Sequence, residues 1–124
     1  MAQIEVEKIW GSETWLKNDE QYCMKLLFLK PGFQSSMHYH REKTETFLCV
    51  AGRVKLEVMP YYRSYPDQAE VVQVRYLQSY QSFTLYPFIP HRFTAIGEET
   101  VIVEASTEHN DEDVVRLEES RKIE

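Results

Sequence analysis

The sequence predicts an all-β fold, a sandwich or a barrel, on three observations. Eight or nine apolar or alternating runs have the length of strands, turn residues separate them at regular intervals, and helical periodicity is almost absent. With 124 residues, the chain is long enough for one domain with a single core.

The composition argues against two broad classes of function. A net charge of −6 disfavours a nucleic-acid-binding surface. No run of 18 apolar residues exists and residues 1–8 lack the pattern of a signal peptide, so we expect a cytoplasmic protein without a membrane-spanning helix. Cys23 and Cys49 lie in apolar runs without metal or redox spacing, and we expect buried free thiols.

The first part of the chain contains five predicted strands. Alternation at Ile4 and Val6 predicts an edge strand or arm, and further strands are predicted at 22–30, 35–40, 45–50 and 54–58. Residues 10–15 are predicted to form a turn whose two tryptophan rings pack over one end of the domain rather than stack on a ligand. Lys25 interrupts an apolar run, so it either reaches the surface or faces a polar cavity.

The second part begins with the longest predicted loop, residues 60–70. Its three tyrosines and Arg63 could rim a sugar site or an oligomer contact, and a solvated loop is an equal alternative. Strands are predicted at 71–77, 81–86 and 100–105, and the composition becomes acidic and charged after residue 106.

A group of histidines and a glutamate predicts a metal site. His38 and His40 are two apart, so on a strand they point to the same face. The polar residues that follow suit a turn that returns the chain and brings Glu45 to the imidazoles. Nitrogen donors and a carboxylate at one point suit a transition metal, and His91 could join them inside a barrel. The alternative is an exposed strand with solvated histidines.

This stretch resembles the first motif of the cupin superfamily throughout its length. The matching residues are Gly32, His38, His40, Glu45 and Gly52. The second cupin motif is matched at His91, whereas Phe88 stands where the family has glycine and Ala95 where it has asparagine.

The cupin resemblance covers about residues 22–105 and implies a double-stranded β-helix, that is, a jelly-roll barrel. It implies one domain, 1–124, with an N-terminal arm, 1–21, and a C-terminal extension, 106–124. It also implies a divalent manganese, iron, cobalt, nickel or zinc ion held by three histidines and one glutamate. These ligands are His38, His40, Glu45 and His91.

Two further stretches suggest a group within the cupins. Residues 10–13, with Tyr22 and Lys25, are similar to the lead-in of small sugar-isomerase-like cupins. Residues 104–109 and 112–117 resemble the closing segment of the phosphomannose isomerase and mannose-1-phosphate guanylyltransferase cupins. His38 replaces the glutamine usual in phosphomannose isomerases, and the three-histidine set is shared with lyxose-isomerase-like cupins. The resemblance therefore implies an aldose–ketose isomerase of a sugar or sugar phosphate.

Such an isomerase needs a base within reach of a carbon-bound proton. Glu104 and Lys25 are the candidates, and an outward carboxylate at a strand end is the alternative for Glu104. Arg92 could hold a phosphate or carboxylate, although a surface role is favoured for it, as for His109 and Arg116.

Two other functions stay open at this stage, a non-haem iron dioxygenase-type cupin and a non-catalytic sugar-binding or regulatory module. We expect a homodimer, because exposed sheet edges need cover.

Overall fold

Strands make up almost all of the regular structure of this computed structural model, which describes residues 3–123. In chain order they are β1 (Ile4–Lys8), β2 (Gly11–Asn18), β3 (Cys23–Leu29), β4 (Phe33–Gln34), β5 (Met37–His40), β6 (Glu45–Ala51), β7 (Arg53–Val58), β8 (Gln73–Gln78), β9 (Ser82–Leu85), β10 (His91–Ala95), β11 (Thr100–Ser106), β12 (Val114–Glu118) and β13 (Arg121–Lys122). Single 3-10 turns lie at Pro66–Gln68 and Asp111–Asp113. Within residues 3–123, no helix has the length and apolar character needed to cross a membrane.

Two antiparallel sheets form the molecule, and the predicted all-β jelly roll is confirmed. One sheet has the strand order β1-β2-β3-β11-β6-β9. The other has the order β12-β5-β10-β4-β13, with β7 paired to β10 and β8 paired to β7. Strands far apart in the sequence therefore lie side by side, as β11 does between β3 and β6.

The interior is divided into a polar half and an apolar half. Inward positions alternate along each strand, and each of four strands carries an ionisable residue near one end and apolar residues beyond it. The ionisable residues are Lys25, Glu45, His91 and Glu104, and the apolar residues two positions away on the same strands are Leu27, Phe47, Phe93 and Ile102. Apolar burial thus stabilises the barrel at one end and leaves the other end available for chemistry.

Two predictions about local structure are wrong. Residues 10–15 are not a turn, because β2 begins at Gly11 and pairs with both β1 and β3. Pairing on both sides outweighs the weak strand propensity of Gly11 and Ser12. The predicted number of strands is also wrong, since the charged segment after residue 106 contributes β12 and β13 to the second sheet. The described residues form thirteen strands rather than eight or nine, partly because β4 and β13 have only two residues each.

Glycine is required at the turn between β6 and β7. Gly52 has a φ of 77°, which side chains with a Cβ rarely adopt. A Cβ there would also lie 2.5 Å from the carbonyl oxygen of Glu99 and from Oγ1 of Thr100. The chain therefore turns tightly at this glycine, between β6 and β7.

Candidate metal centre

Three imidazoles converge in the polar half of the barrel. His38 and His40 lie on β5, and His91 begins β10 directly opposite His38. One ring nitrogen from each lies within 4.8 Å of the others. His40 and His91 are buried and His38 is partly buried, so the alternative of solvated histidines on an exposed strand is wrong.

Glu45 lies beside two of these rings, as the predicted turn requires. Its Oε2 is 3.3 Å from Nε2 of His40 and 3.1 Å from Nε2 of His91. Burial opposes ionisation, but the side chains of His40, His91 and Lys43 outweigh it and hold the pKa of the Glu45 carboxyl well below its ordinary 4.5. Glu45 therefore supplies a carboxylate to the cluster.

Hydrogen bonds at Nδ1 of His91 and of His38 leave Nε2 of each ring for another partner. Nδ1 of His91 lies 2.9 Å from the carbonyl oxygen of Ile89 and donates to it, so Nε2 carries the lone pair. That Nε2 is buried and, among the described residues, has no hydrogen-bond partner, although Glu45 Oε2 is 3.1 Å away. A cation close to both atoms, either a proton or a metal ion, stabilises them at this separation.

Nδ1 of His38 lies 3.0 Å from both the carbonyl oxygen and the Oγ of Ser36, so Nε2 is the nitrogen left for another partner. Burial, together with the neighbouring His91 and His40, holds the pKa of His38 well below its ordinary 6.5. The neutral imidazole is the form that binds metals. Three imidazoles and a carboxylate therefore fit a divalent transition metal.

Asp113 holds the turn between β5 and β6, which separates His40 from Glu45. Its Oδ1 accepts hydrogen bonds from the backbone N–H groups of Arg41 and Glu42, each at 2.9 Å, and its Oδ2 accepts from Lys43 N–H at 3.1 Å. The same Oδ2 lies 3.9 Å from Nδ1 of His40. Sequence analysis missed this role, because Asp113 is about 70 residues from the turn that it holds.

A chain of four ionisable groups continues from the ligands towards the surface. Nζ of Lys43, which is buried, lies 2.7 Å from Oε2 of Glu104, 3.4 Å from Oε1 of Glu45 and 3.0 Å from Nδ1 of His109. Nε2 of His109 lies 2.8 Å from Oδ1 of Asp111, whose side chain is 90% exposed. Lys43 lies in the turn before β6, where the two-residue period of a strand does not predict the direction of a side chain.

The side chain of Lys43 stays protonated among these four ionisable groups. Burial lowers the pKa of Lys43, but Glu104 and Glu45 outweigh burial and raise it above the ordinary 10.5. Burial, together with Lys25 and Lys43, lowers the pKa of His109 below 6.5, so its neutral ring can accept from Lys43 and donate to Asp111.

The two candidate bases both face the pocket. Glu104 is 5% exposed and points inward, so the alternative of an outward carboxylate is wrong. Lys25 is 2% exposed and faces the polar cavity, not the surface. Its Nζ is 3.6 Å from Oε1 of Glu13 and 4.1 Å from the ring centre of Trp15. Trp10 and Trp15 line the same pocket.

Arg92 has the surface role favoured from the sequence. Its guanidinium donates two hydrogen bonds of 3.0 Å to the carboxylate of Glu57 and one of 2.7 Å to Glu118. The thiols of Cys23 and Cys49 are buried and free, as predicted.

Phe88 occupies the position at which the second cupin motif has glycine. Its φ is 66°, in the left-handed region that glycine favours. Its N–H donates to the carbonyl oxygen of His40 at 2.8 Å, and its ring lies 3.8 Å from the guanidinium carbon of Arg63. The backbone of the motif is thus present without its glycine, and His91 follows it into the cluster.

Comparison with known proteins supports the fold. No protein-family model matches the chain. A mannose-1-phosphate guanylyltransferase of Sinorhizobium fredii is 31% identical over 49 residues, which are 40% of this chain and 10% of that protein. The capsular polysaccharide assembling protein CapF of Staphylococcus aureus superposes with a TM-score of 0.78 and 21% identity, over 95% of this chain and 32% of CapF. Oxalate decarboxylase of Bacillus subtilis superposes with a TM-score of 0.74 and 13% identity, over 93% of this chain and 30% of the decarboxylase.

The chain has the cupin fold. The chain spans about a third of the length of the two solved proteins and a tenth of the guanylyltransferase. The resemblance of residues 32–52 to the first cupin motif predicted the fold correctly. The two histidines of this motif lie in the polar half of the barrel interior.

Proposed function

We propose that this cupin is a metal-dependent enzyme that interconverts an aldose and a ketose, as a sugar or sugar phosphate. His38, His40, Glu45 and His91 would hold a divalent ion. The proposal rests on one observation, namely that this ligand set adjoins a buried carboxylate–ammonium pair, Glu104 and Lys43, inside one pocket. The names of CapF and of the guanylyltransferase, which refer to a polysaccharide and a sugar phosphate, agree with a sugar substrate.

A divalent ion held by these four side chains would have room for a substrate oxygen. An ion held there would polarise the carbonyl and neighbouring hydroxyl oxygens of an open-chain sugar. Asp113 and the turn that it holds would keep the ligands in position. Trp10 and Trp15 would bound the sugar and exclude water from the pocket.

Isomerisation moves one proton from C2 to C1 and one from the oxygen on C2 to the oxygen on C1. Glu104 would take the carbon-bound proton and return it to the neighbouring carbon. Lys43, 2.7 Å away, would hold the carboxylate in place and stabilise its charge before the transfer. Lys25, which lies directly opposite Glu104 on β3, is the second candidate for the base.

The test is proton exchange together with turnover. The metal-free chain is loaded in turn with manganese, iron, cobalt, nickel or zinc and incubated in D₂O with a panel of aldoses, ketoses and their phosphates. NMR then measures product formation and deuterium at C1 and C2. We expect one class of sugar to be isomerised, with loss of turnover in His40→Ala because the ligand set is broken and stoichiometric metal is lost.

Glu104→Gln separates the base from the metal site, since it keeps the shape of the side chain and removes the base. We expect kcat to fall about 100-fold or more with metal content retained. Glu99→Gln, in an exposed turn, is the matched control. Unchanged kcat in Glu104→Gln would remove Glu104 from the mechanism, and the same measurement on Lys25→Met would test the second candidate.

The two alternatives predict different results in the same experiment. Sugar binding without turnover under every metal would identify a non-catalytic binding module. Oxygen consumption that requires both iron and a substrate would identify a dioxygenase-type cupin. Either result would overturn the isomerase proposal.

A further inference from the structure

An arginine from the C-terminal segment lies beside the candidate metal ligands. β12 pairs with β5 in a register that places Arg116 directly opposite His38. Residues directly opposite on antiparallel strands point to the same face, with their Cβ atoms about 5 Å apart. Arg116 accordingly lines the pocket that contains the three histidines, next to His38, the most accessible of them.

The register of β12 shifts immediately after this arginine. Arg116 pairs with His38 and Glu118 with Met37, so Leu117 is an extra residue in the strand. A bulge of this kind changes the direction of neighbouring side chains and often lies next to binding sites. The bulge thus follows Arg116, which is the last residue of β12 before the register shifts.

Arg116 also differs from the buried cations of the pocket. Lys25 faces Glu13 at 3.6 Å, and Lys43 faces Glu104 at 2.7 Å. Within residues 3–123, Arg116 forms neither a salt bridge nor a side-chain hydrogen bond, and its side chain is exposed. Its five N–H donors are therefore available to a ligand that enters the pocket.

We propose that Arg116 is an anion-binding subsite that holds the phosphate or carboxylate group of the substrate while the sugar carbons reach the metal centre. A guanidinium presents a planar fork that matches either group with two parallel hydrogen bonds. Lys8, which lines the same pocket, adds a second positive charge. This inference rests on the proposed function and names its substrate class, an anionic sugar rather than a neutral one.

The test is equilibrium binding, measured by calorimetry on the metal-loaded and the metal-free chain. The probes are glucose, glucose 6-phosphate, glucuronate and inorganic phosphate. In the wild type we expect an anionic probe to bind more tightly than glucose. In Arg116→Gln we expect the Kd of that probe to rise about 10-fold to 100-fold, with the affinity for glucose unchanged, since charge-assisted hydrogen bonds are lost. A preference for glucose 6-phosphate or for glucuronate decides between the two anions.

Arg75→Gln is the matched control, because Arg75 is exposed on β8 and its side chain donates hydrogen bonds to Val74 and Gln73. It removes the same charge outside the pocket and should leave every Kd unchanged. An equal loss of affinity in both variants would overturn the subsite, as would equal binding of glucose and its anionic derivatives in the wild type.

Failure of the subsite and failure of the isomerase are distinguishable. Arg116-dependent binding of an anionic sugar without isomerisation supports the subsite and counts against the isomerase. Isomerisation of a neutral sugar with unchanged kcat/KM in Arg116→Gln supports the isomerase and overturns the subsite.

Discussion

Truncation of Asp113 tests whether a residue far along the chain controls the metal centre. In Asp113→Ala, the N–H of Arg41 keeps a second acceptor, the backbone oxygen of residue 113 at 3.2 Å, and the exposed Glu42 can bond to water. The N–H of Lys43 is buried and loses its acceptor. A buried donor without a partner costs about 1–3 kcal/mol. With the two other lost charge-assisted bonds, we expect the free energy of unfolding to fall by about 2–4 kcal/mol.

The change should also weaken metal binding, because the carboxylate that faces Nδ1 of His40 is removed and the turn before Glu45 is loosened. Loss of a group that orients a ligand typically costs about 10-fold to 100-fold in metal affinity. Urea unfolding of the metal-free chain gives the stability, and competition with a chelator gives the metal Kd at a temperature where the variant is folded.

Two further variants make this test specific. Asp113→Asn keeps one acceptor oxygen but turns an amide N–H₂ towards a backbone donor, so we expect intermediate losses. Asp67→Ala removes a charge from an exposed loop and should change neither quantity. If Asp113→Ala folded with unchanged metal affinity, Asp113 would have no part in positioning the ligands.

Four further predictions concern the scaffold. Gly52→Ala should lower the free energy of unfolding by about 2 kcal/mol or more, since φ is 77° and a Cβ would contact Thr100 and Glu99, and thermal unfolding measures it. Phe88→Gly should have a free energy of unfolding about 1 kcal/mol higher than that of Phe88→Ala, measured by urea unfolding. Both variants lose the ring, but only glycine relieves the left-handed backbone. The hydrogen bond from Arg92 holds the pKa of Glu57 below its ordinary 4.5. This pair should therefore stabilise the wild type above pH 4.5 and lose its contribution as the pH falls below that value. Arg92→Ala should flatten this part of the pH–stability curve. The sequence-based expectation of a homodimer is tested by sedimentation at micromolar concentration, where a monomer would contradict it.

The local pattern of the sequence was sufficient to predict the fold class and the first motif. Strands impose a period of two, so His38 and His40 had to share a face, and a short polar turn had to return the chain at Glu45. Such inferences need only neighbouring residues, which is why they agree with the structure.

Tertiary structure decided everything that depends on pairing between distant strands. The choice between an inward and an outward Glu104, the surroundings of Lys25 and the place of His91 all follow from the registers of β10 and β11. Asp113 and Arg116 reach the site only because β12 pairs with β5. A shift of one residue in such a register moves every side chain of the strand to the opposite face, and the register is set by packing of the whole barrel rather than by the strand itself.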